Sequence, residues 1–325
     1  MLSGKANHST DFLRGFKESR LELILASPKS DLHNHSALGS RLSALSDWAG
    51  IKLPPAPPLM ADLDEMNTYI TTVLRPLFLE RKSFEYAIEA AYLQAIADGV
   101  KRLEMSVDCY FATLYPDKEE GMLHFLSGLH EKYKERIDSR PELGLSRDAV
   151  MPDYKSWAER LLETRFFRSL DLYGGELARE PEYFAALFRK AASLGMKKKA
   201  HVGEFGTAES VRHTVEVLEL DAIQHGIAAA TSPEIMKWLR LQAITLNVCP
   251  TSNIALSRVP DMKVHPIRIL VDHGVKVTIN TDDLMIFGQS VSDEYLNLYR
   301  SGLLSAEELD TIRVWGLTEG VTQGD

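Results

Sequence analysis

Runs rich in β-formers and apolar residues alternate along this chain with stretches spaced like amphipathic helices. The eight runs are SDLHNH (30–35), KRLEMSVD (101–108), LGLSRDAV (143–150), RSLDLYG (168–174), KKKAHVGE (197–204), DAIQHG (221–226), AITLNVCP (243–250) and KVTINTDD (276–283). Between them FEYAIEAAYLQAIADG (84–99), PEYFAALFRKAASLG (181–195), SPEIMKWLRLQ (232–242) and HPIRILVDHG (265–274) read as helices. Several open on Ser or Pro and close on Gly, the usual start and stop signals. Strand–helix alternation predicts parallel strands joined by helical crossovers. Eight such strands in 325 residues predict an α/β chain folded as a closed (β/α)8 TIM barrel. An open doubly wound sheet is the alternative, but it expects a Gly-rich phosphate turn after the first strand, and none follows residue 35.

One excursion interrupts the rhythm. The segment RLSALSDWAGIKLPPAPPLMADLDEMNTYITTVLRPLFLERK (41–82) holds two helical patterns either side of the stiff LPPAPP connector (53–58). It follows the first strand, on the face where barrel enzymes bind substrate. The expectation is a single (β/α)8 domain over 1–325 with a helical lid at about 36–82.

Composition removes several functional classes. At 45% hydrophobic residues the chain has ample material for a large core. The net charge of −9 is spread along the chain with no basic stripe, so no nucleic-acid partner is expected. The KKK at 197–199 reads as the solvated start of a strand. Only Cys109 and Cys249 are present, far apart, which argues against a disulfide framework. No apolar run reaches the roughly 18 residues needed to cross a membrane. The opening MLSGKANHSTDFLRGF lacks the apolar core of a signal peptide, and a cytoplasmic protein is expected.

The strands share an oddity: their C-terminal ends carry polar groups. His33 and His35 end the first, Gly174 follows the fourth, His201 and Glu204 end the fifth, His225 ends the sixth, and Asp282 with Asp283 ends the eighth. In a barrel these ends share one rim. His33 and His35 lie two apart, so both imidazoles share a strand face. Taken singly, a His-x-His pair is usually incidental, and His201 or His225 could be a hydrogen-bonded core histidine. Asp282 could cap a helix, and Glu204 could pair at the rim. His213, His265 and His273 fall in helical stretches and read as structural. Jointly, three histidines and a carboxylate on one rim make a Zn2+ set with a position left open for water.

These motifs also resemble the adenosine deaminase family of metal-dependent (β/α)8 hydrolases. DLHNH looks like its His-x-His strand, HVGE (201–204) its His-Ala-Gly-Glu, and QHG (224–226) its Gly-His-Gly region. CPTSN (249–253) and NTDD (280–283) are family signatures, and the similarity runs from about residue 30 to residue 300. The resemblance implies that His33, His35, His201 and Asp282 ligate one metal ion, expected to be Zn2+. It implies Glu204 as proton donor to a ring nitrogen and His225 as the residue that orients the water, with deprotonation of that water as a second role. It implies Gly174 and Asp283 as purine contacts, with Asp283 protonated beside Asp282. The implied reaction is zinc-dependent hydrolytic deamination of an aminopurine, adenosine or a related adenine nucleoside, with release of ammonia. Another amino-heterocycle (adenine base, a modified adenine nucleoside, a pterin) and a purine-binding member without turnover are the alternatives.

The sequence departs from the family in places. Adenosine deaminases typically continue the first motif with an Asp that contacts ribose, whereas here SALGS follows His35. Leu284 stands where Pro is usual, and Val202 and Gln224 replace Ala and Gly without removing a reactive group. Recognition is therefore expected to rest on the base, with the sugar side of the pocket built by residues 36–82.

Overall fold

The computed structural model describes residues 2–150 and 153–318; Met1, 151–152 and 319–325, which the expected 1–325 span includes, lie outside the described residues. The strands are β1 (Lys29–Asn34), β2 (Val100–Asp108), β3 (Asp138–Ser146), β4 (Ser169–Tyr173), β5 (Lys197–Val202), β6 (Ala222–His225), β7 (Thr245–Val248) and β8 (Val277–Ile279). Each pairs in parallel with the next, in the order β1 to β8. A bridge between Asn34 and Asp282 joins the last to the first. The expected (β/α)8 barrel is the fold.

Polar side chains stitch that final seam, because β8 is too short to complete the ladder. Asn280 Oδ1 accepts the Leu32 N–H at 2.7 Å, and Asp31 accepts both the N–H (3.2 Å) and the hydroxyl (2.6 Å) of Thr281. Helices cover the outside by their apolar faces. Arg81–Ala97 buries Phe84, Ala87, Ile88, Ala91, Tyr92 and Ala95, the spacing of one helical stripe. Phe84 and Ile88 are fully buried, each worth about 1.5–3 kcal/mol of transfer free energy. Ser232 caps Pro233–Leu241 by accepting the Ile235 N–H.

Two expectations need correction. The third strand begins five residues early, at Asp138, and ends at Ser146 rather than 150. Its first half, DSRPE (138–142), carries no apolar run, yet Pro141 sits in register beside Met105 and its carbonyl accepts the Arg168 N–H at 2.8 Å. The KKK segment is not a solvated start. Lys199 is 2% exposed inside the barrel, paired with Glu142 at 2.7 Å and with Glu104, and it donates to the Leu32 carbonyl. Strand alternation decides this, since Lys199 shares a face with His201 two residues on. Removing the cation would leave two carboxylates buried without compensation. Lys199→Met is expected to destabilise the fold by about 3–5 kcal/mol in denaturant titration, with the combined Lys199→Met/Glu104→Gln/Glu142→Gln variant recovering much of the loss.

Residues 36–82 form a 3-10 turn (Ser36–Leu38), helices Leu42–Ala49 and Leu63–Tyr69, a π turn (Ile70–Leu74) and a short helix Arg75–Phe78. Pro76 lacks the N–H that would continue an α-helix, and the Arg75 N–H reaches five residues back to the Ile70 carbonyl. Among the described residues no helix is long and apolar enough to cross a membrane.

Candidate active site

The strand ends converge as their positions in sequence implied. The His33 ring centroid lies 4.6 Å from those of His201 and His225, and His35 lies 5.1 Å from His201. Past β8 the chain turns sharply at Asp282, whose φ is +59°, and the turn brings the carboxylate to the centre of the rim. Its Oδ1 stands 3.2 Å from His35 Nε2 and 3.6 Å from His33 Nε2. Its Oδ2 accepts the Ser252 hydroxyl at 2.6 Å and stands 3.8 Å from His225 Nε2. His225 is likewise left-handed, at φ +65°. Such backbone costs of order 1–3 kcal/mol for a non-glycine residue and is held only where surroundings fix it.

Ring orientations follow from hydrogen bonds. His33 Nδ1 donates to the Asn247 carbonyl at 3.3 Å, which leaves Nε2 as the lone pair facing the rim. The ligand-type nitrogens of His33, His35 and His201 lie within 4.8 Å of one another. Buried Nε2 atoms of His33 and His201 have no hydrogen-bond partner, so their desolvation is uncompensated by the protein alone. His35 points to the same need. Burial alone would lower its pKa, but Asp283, Asp282 and Asp171 outweigh that and push it up to about 10. Burial holds His33 well below 6.5. Burial opposes ionisation of Asp282 too, yet the surrounding histidines hold it well below the usual carboxylate range. A pocket with converging nitrogen lone pairs and excess carboxylate charge favours a cation. The His33, His35, His201 and Asp282 donors fit a divalent metal ion.

Glu204 follows β5 in a turn whose four successive N–H groups, of residues 203 to 206, all donate to the carboxylate of Glu176 at 2.7–3.1 Å. The Glu204 side chain is 7% exposed, with Oε2 3.4 Å from His225 Nε2. Burial first, then the charges of Asp282 and Glu176, pushes its pKa well above 4.5. Asp283 is pushed up to about 7 by burial and by Asp282, against the pull of His35. Its Oδ1 is buried without a partner. Gly174 has φ +88°, a conformation strained for any residue with a side chain, and a Cβ there would also push on Asp148 Oδ2 at 2.5 Å.

A cleft of about 550 Å³ opens over these groups, reaching His35, Gly174, Glu204 and Asp283 at its floor. Leu63, Met66, Ile70, Phe78 and Leu79 of the inserted segment line its wall.

The match to the adenosine deaminase family covers residues 151–323. A Treponema pallidum protein with the provisional name adenosine/adenine deaminase is 38% identical over 90% of this chain and 99% of its own length. The chain belongs to the adenosine deaminase family. It is a hydrolytic deaminase acting on cyclic amidine C–N bonds. The adenine deaminase of Rhodopseudomonas palustris is 28% identical over 87% of this chain and 86% of its own. Adenine deaminase from Arthrobacter aurescens shares the fold at TM-score 0.78 and 23% identity, covering 91% of this chain and 94% of that one. An amidohydrolase from Burkholderia ambifaria, solved with bound Zn, does so at TM-score 0.75 and 19% identity, covering 96% and 88%.

The structure of this deaminase adds residues that the sequence reading passed over. Asp171, in β4, stands with Oδ2 3.6 Å from His201 Nε2, fully buried, and neither of its oxygens has a hydrogen-bond partner. An Asp inside the apolar run SLDLY was a visible signal, since a buried unpaired carboxylate needs a reason. Ser252 and Asn253, within CPTSN, and Glu176, two residues after Gly174, hold the site by hydrogen bonds that their sequence positions do not announce. His265 is not helical; it precedes the helix Ile267–Asp272, and its side chain bonds to Asn253.

Proposed function

We propose that this deaminase removes the exocyclic amine of an adenine nucleoside, adenosine or a close relative, in a zinc-dependent hydrolysis. The observation that carries the reading is the convergence of His33, His35, His201 and Asp282 with Glu204 and His225 beneath one cleft. His33, His35, His201 and Asp282 would hold the ion, and nitrogen donors with one carboxylate suit Zn2+. When bound, the ion acts as a Lewis acid that makes water nucleophilic near neutral pH. Glu204, protonated through burial and the charge of Asp282, gives its proton to the ring nitrogen beside the amine-bearing carbon. That protonation makes the carbon electrophilic enough for water to add. His225 orients the water from a position between Glu204 and Asp282. Asp283, with its partnerless Oδ1, donates to a nitrogen of the imidazole ring, and the Gly174 backbone contacts the purine. Water supplies the oxo oxygen, and ammonia leaves.

The cleft of about 550 Å³ is larger than a bare purine fills, which favours a substituent on the base. Its wall over residues 63–79 is apolar except for Asn67 and Arg75, and Ser36 rather than a carboxylate follows His35. On this reading recognition rests on the base, and a sugar hydroxyl contributes little. Adenosine and 5′-deoxyadenosine are therefore expected to differ in kcat/KM by no more than about tenfold, or 1.4 kcal/mol. A several-hundredfold loss for the deoxy compound would mean that a residue of the insertion binds the 5′-hydroxyl.

A second reading, adenine base as substrate, is favoured by the relatives at 26–31% identity that are named adenine deaminases. Ammonia release measured on adenine and adenosine with one preparation separates the two. A kcat/KM higher on adenine would replace the nucleoside reading.

A further inference from the structure

Behind Glu204 and His225 lies a buried chain of hydrogen bonds that the reaction as described does not use. It starts at the backbone. The Ile267 N–H, which can only donate, points at His265 Nδ1 at 3.1 Å, so Nδ1 is the acceptor. His265 is 1% exposed, and burial lowers its pKa to about 3, so the ring is neutral and its one proton sits on Nε2. Nε2–H then donates to Asn253 Oδ1 at 3.3 Å, which fixes which way the amide faces. The other end of the amide, Nδ2, is left to donate to His225 Nδ1 at 3.2 Å and to Glu204 Oε1 at 3.3 Å. His225 must therefore carry its proton on Nε2, the nitrogen that faces Glu204 Oε2 and Asp282 Oδ2. Asn253 and His265 are both buried, and neither lines the cleft, so they act only through these neighbours.

We propose that Asn253 is a positioning residue that holds His225 in a single tautomer and tethers Glu204 beside it, with His265 anchoring the amide. The proposal rests on Glu204 and His225 being the working groups of the proposed reaction. Each link is set by a donor or acceptor that has no alternative role, starting from a backbone N–H. The amide serves two side chains from one nitrogen, so Glu204 and His225 keep a fixed separation. A substitution that keeps the shape of Asn253 but removes the amide donor reverses the chain: Asn253→Asp, held ionised by the His265 Nε2–H that donates to it, offers His225 only an acceptor, and the His225 proton is drawn to Nδ1.

The test uses the metal-loaded full-length protein with nitrogen-15-labelled histidine. The wild-type His225 signal is expected to show Nδ1 unprotonated and Nε2 protonated, and Asn253→Asp is expected to invert the two. In the same variant kcat on adenosine should fall by roughly 10²-fold or more, as when a catalytic histidine is held in the wrong tautomer, while KM changes by less than about threefold. A second pair avoids dependence on that variant. His265→Gln keeps an N–H donor for Asn253 and should hold kcat within about fivefold of wild type, whereas His265→Leu keeps the bulk without the donor and should lose about tenfold or more. Protonated Nδ1 in the wild type, or equal kcat for His265→Gln and His265→Leu, overturns the proposal. If no adenine compound is turned over by the wild type, the proposed reaction fails, but the nitrogen measurement still decides the tautomer.

Discussion

Glu204→Gln is expected to lower turnover by roughly 10²–10⁴-fold while leaving metal content and substrate affinity near wild type. The amide is close to the carboxyl in size and can still meet the Asn253 side chain and His225, so the pocket keeps its shape. What it lacks is a proton to transfer. In the wild type, burial and the neighbouring charge of Asp282 push the Glu204 carboxyl well above 4.5, which favours the protonated form that the proposed reaction uses. The loss should therefore fall on kcat and on kcat/KM alike, with KM little changed. Steady-state kinetics with elemental analysis on the same sample tests this, and turnover near wild type would move the proton-donor role to another group.

His201→Ala is expected to release the metal and abolish activity. His201 offers one of three imidazole nitrogens that lie within 4.8 Å of each other, and its buried Nε2 has no hydrogen-bond partner in the protein. Loss of a residue that merely supports a metal ligand weakens binding by 10–100-fold; loss of a ligand itself should exceed about 100-fold. Without a cation, the buried carboxylates of Asp282 and Asp171 have only the neighbouring histidines to balance them. Purified wild-type protein should hold about one divalent ion per chain, with zinc restoring chelator-treated enzyme but not His201→Ala. Wild-type protein that binds no metal after zinc reconstitution would refute the assigned set.

How much of this was legible in the chain differs from residue to residue. Strand positions were readable because a parallel strand buried on both faces must be a short apolar run, and all eight runs are present. The rim residues were readable because each interrupts such a run at its C-terminal end, where burial offers a polar group no benefit. His33, His35, His201, His225, Asp282 and Asp283 do meet there. Lys199 was misread because it stands in a run of lysines. Its neighbours in sequence suggest solvent, whereas its true partners, Glu104 and Glu142, come from strands 95 and 57 residues earlier. The bounds of β3 were misread because its first half, DSRPE (138–142), has no apolar run, and only pairing with β2 makes it a strand.

The sequence by itself determined the barrel, the rim on which the site lies and the reactive groups placed there, because periodicity and polarity are local properties that repeat with each strand. Only the tertiary structure decided how those groups are held: Asp171 beside His201, Glu176 gathering the turn that carries Glu204, and the run from Ile267 through His265 and Asn253 to His225. Hydrogen-bond direction depends on which donor meets which acceptor across the barrel. That choice is fixed by closure of the sheet, which brings together residues far apart in the chain.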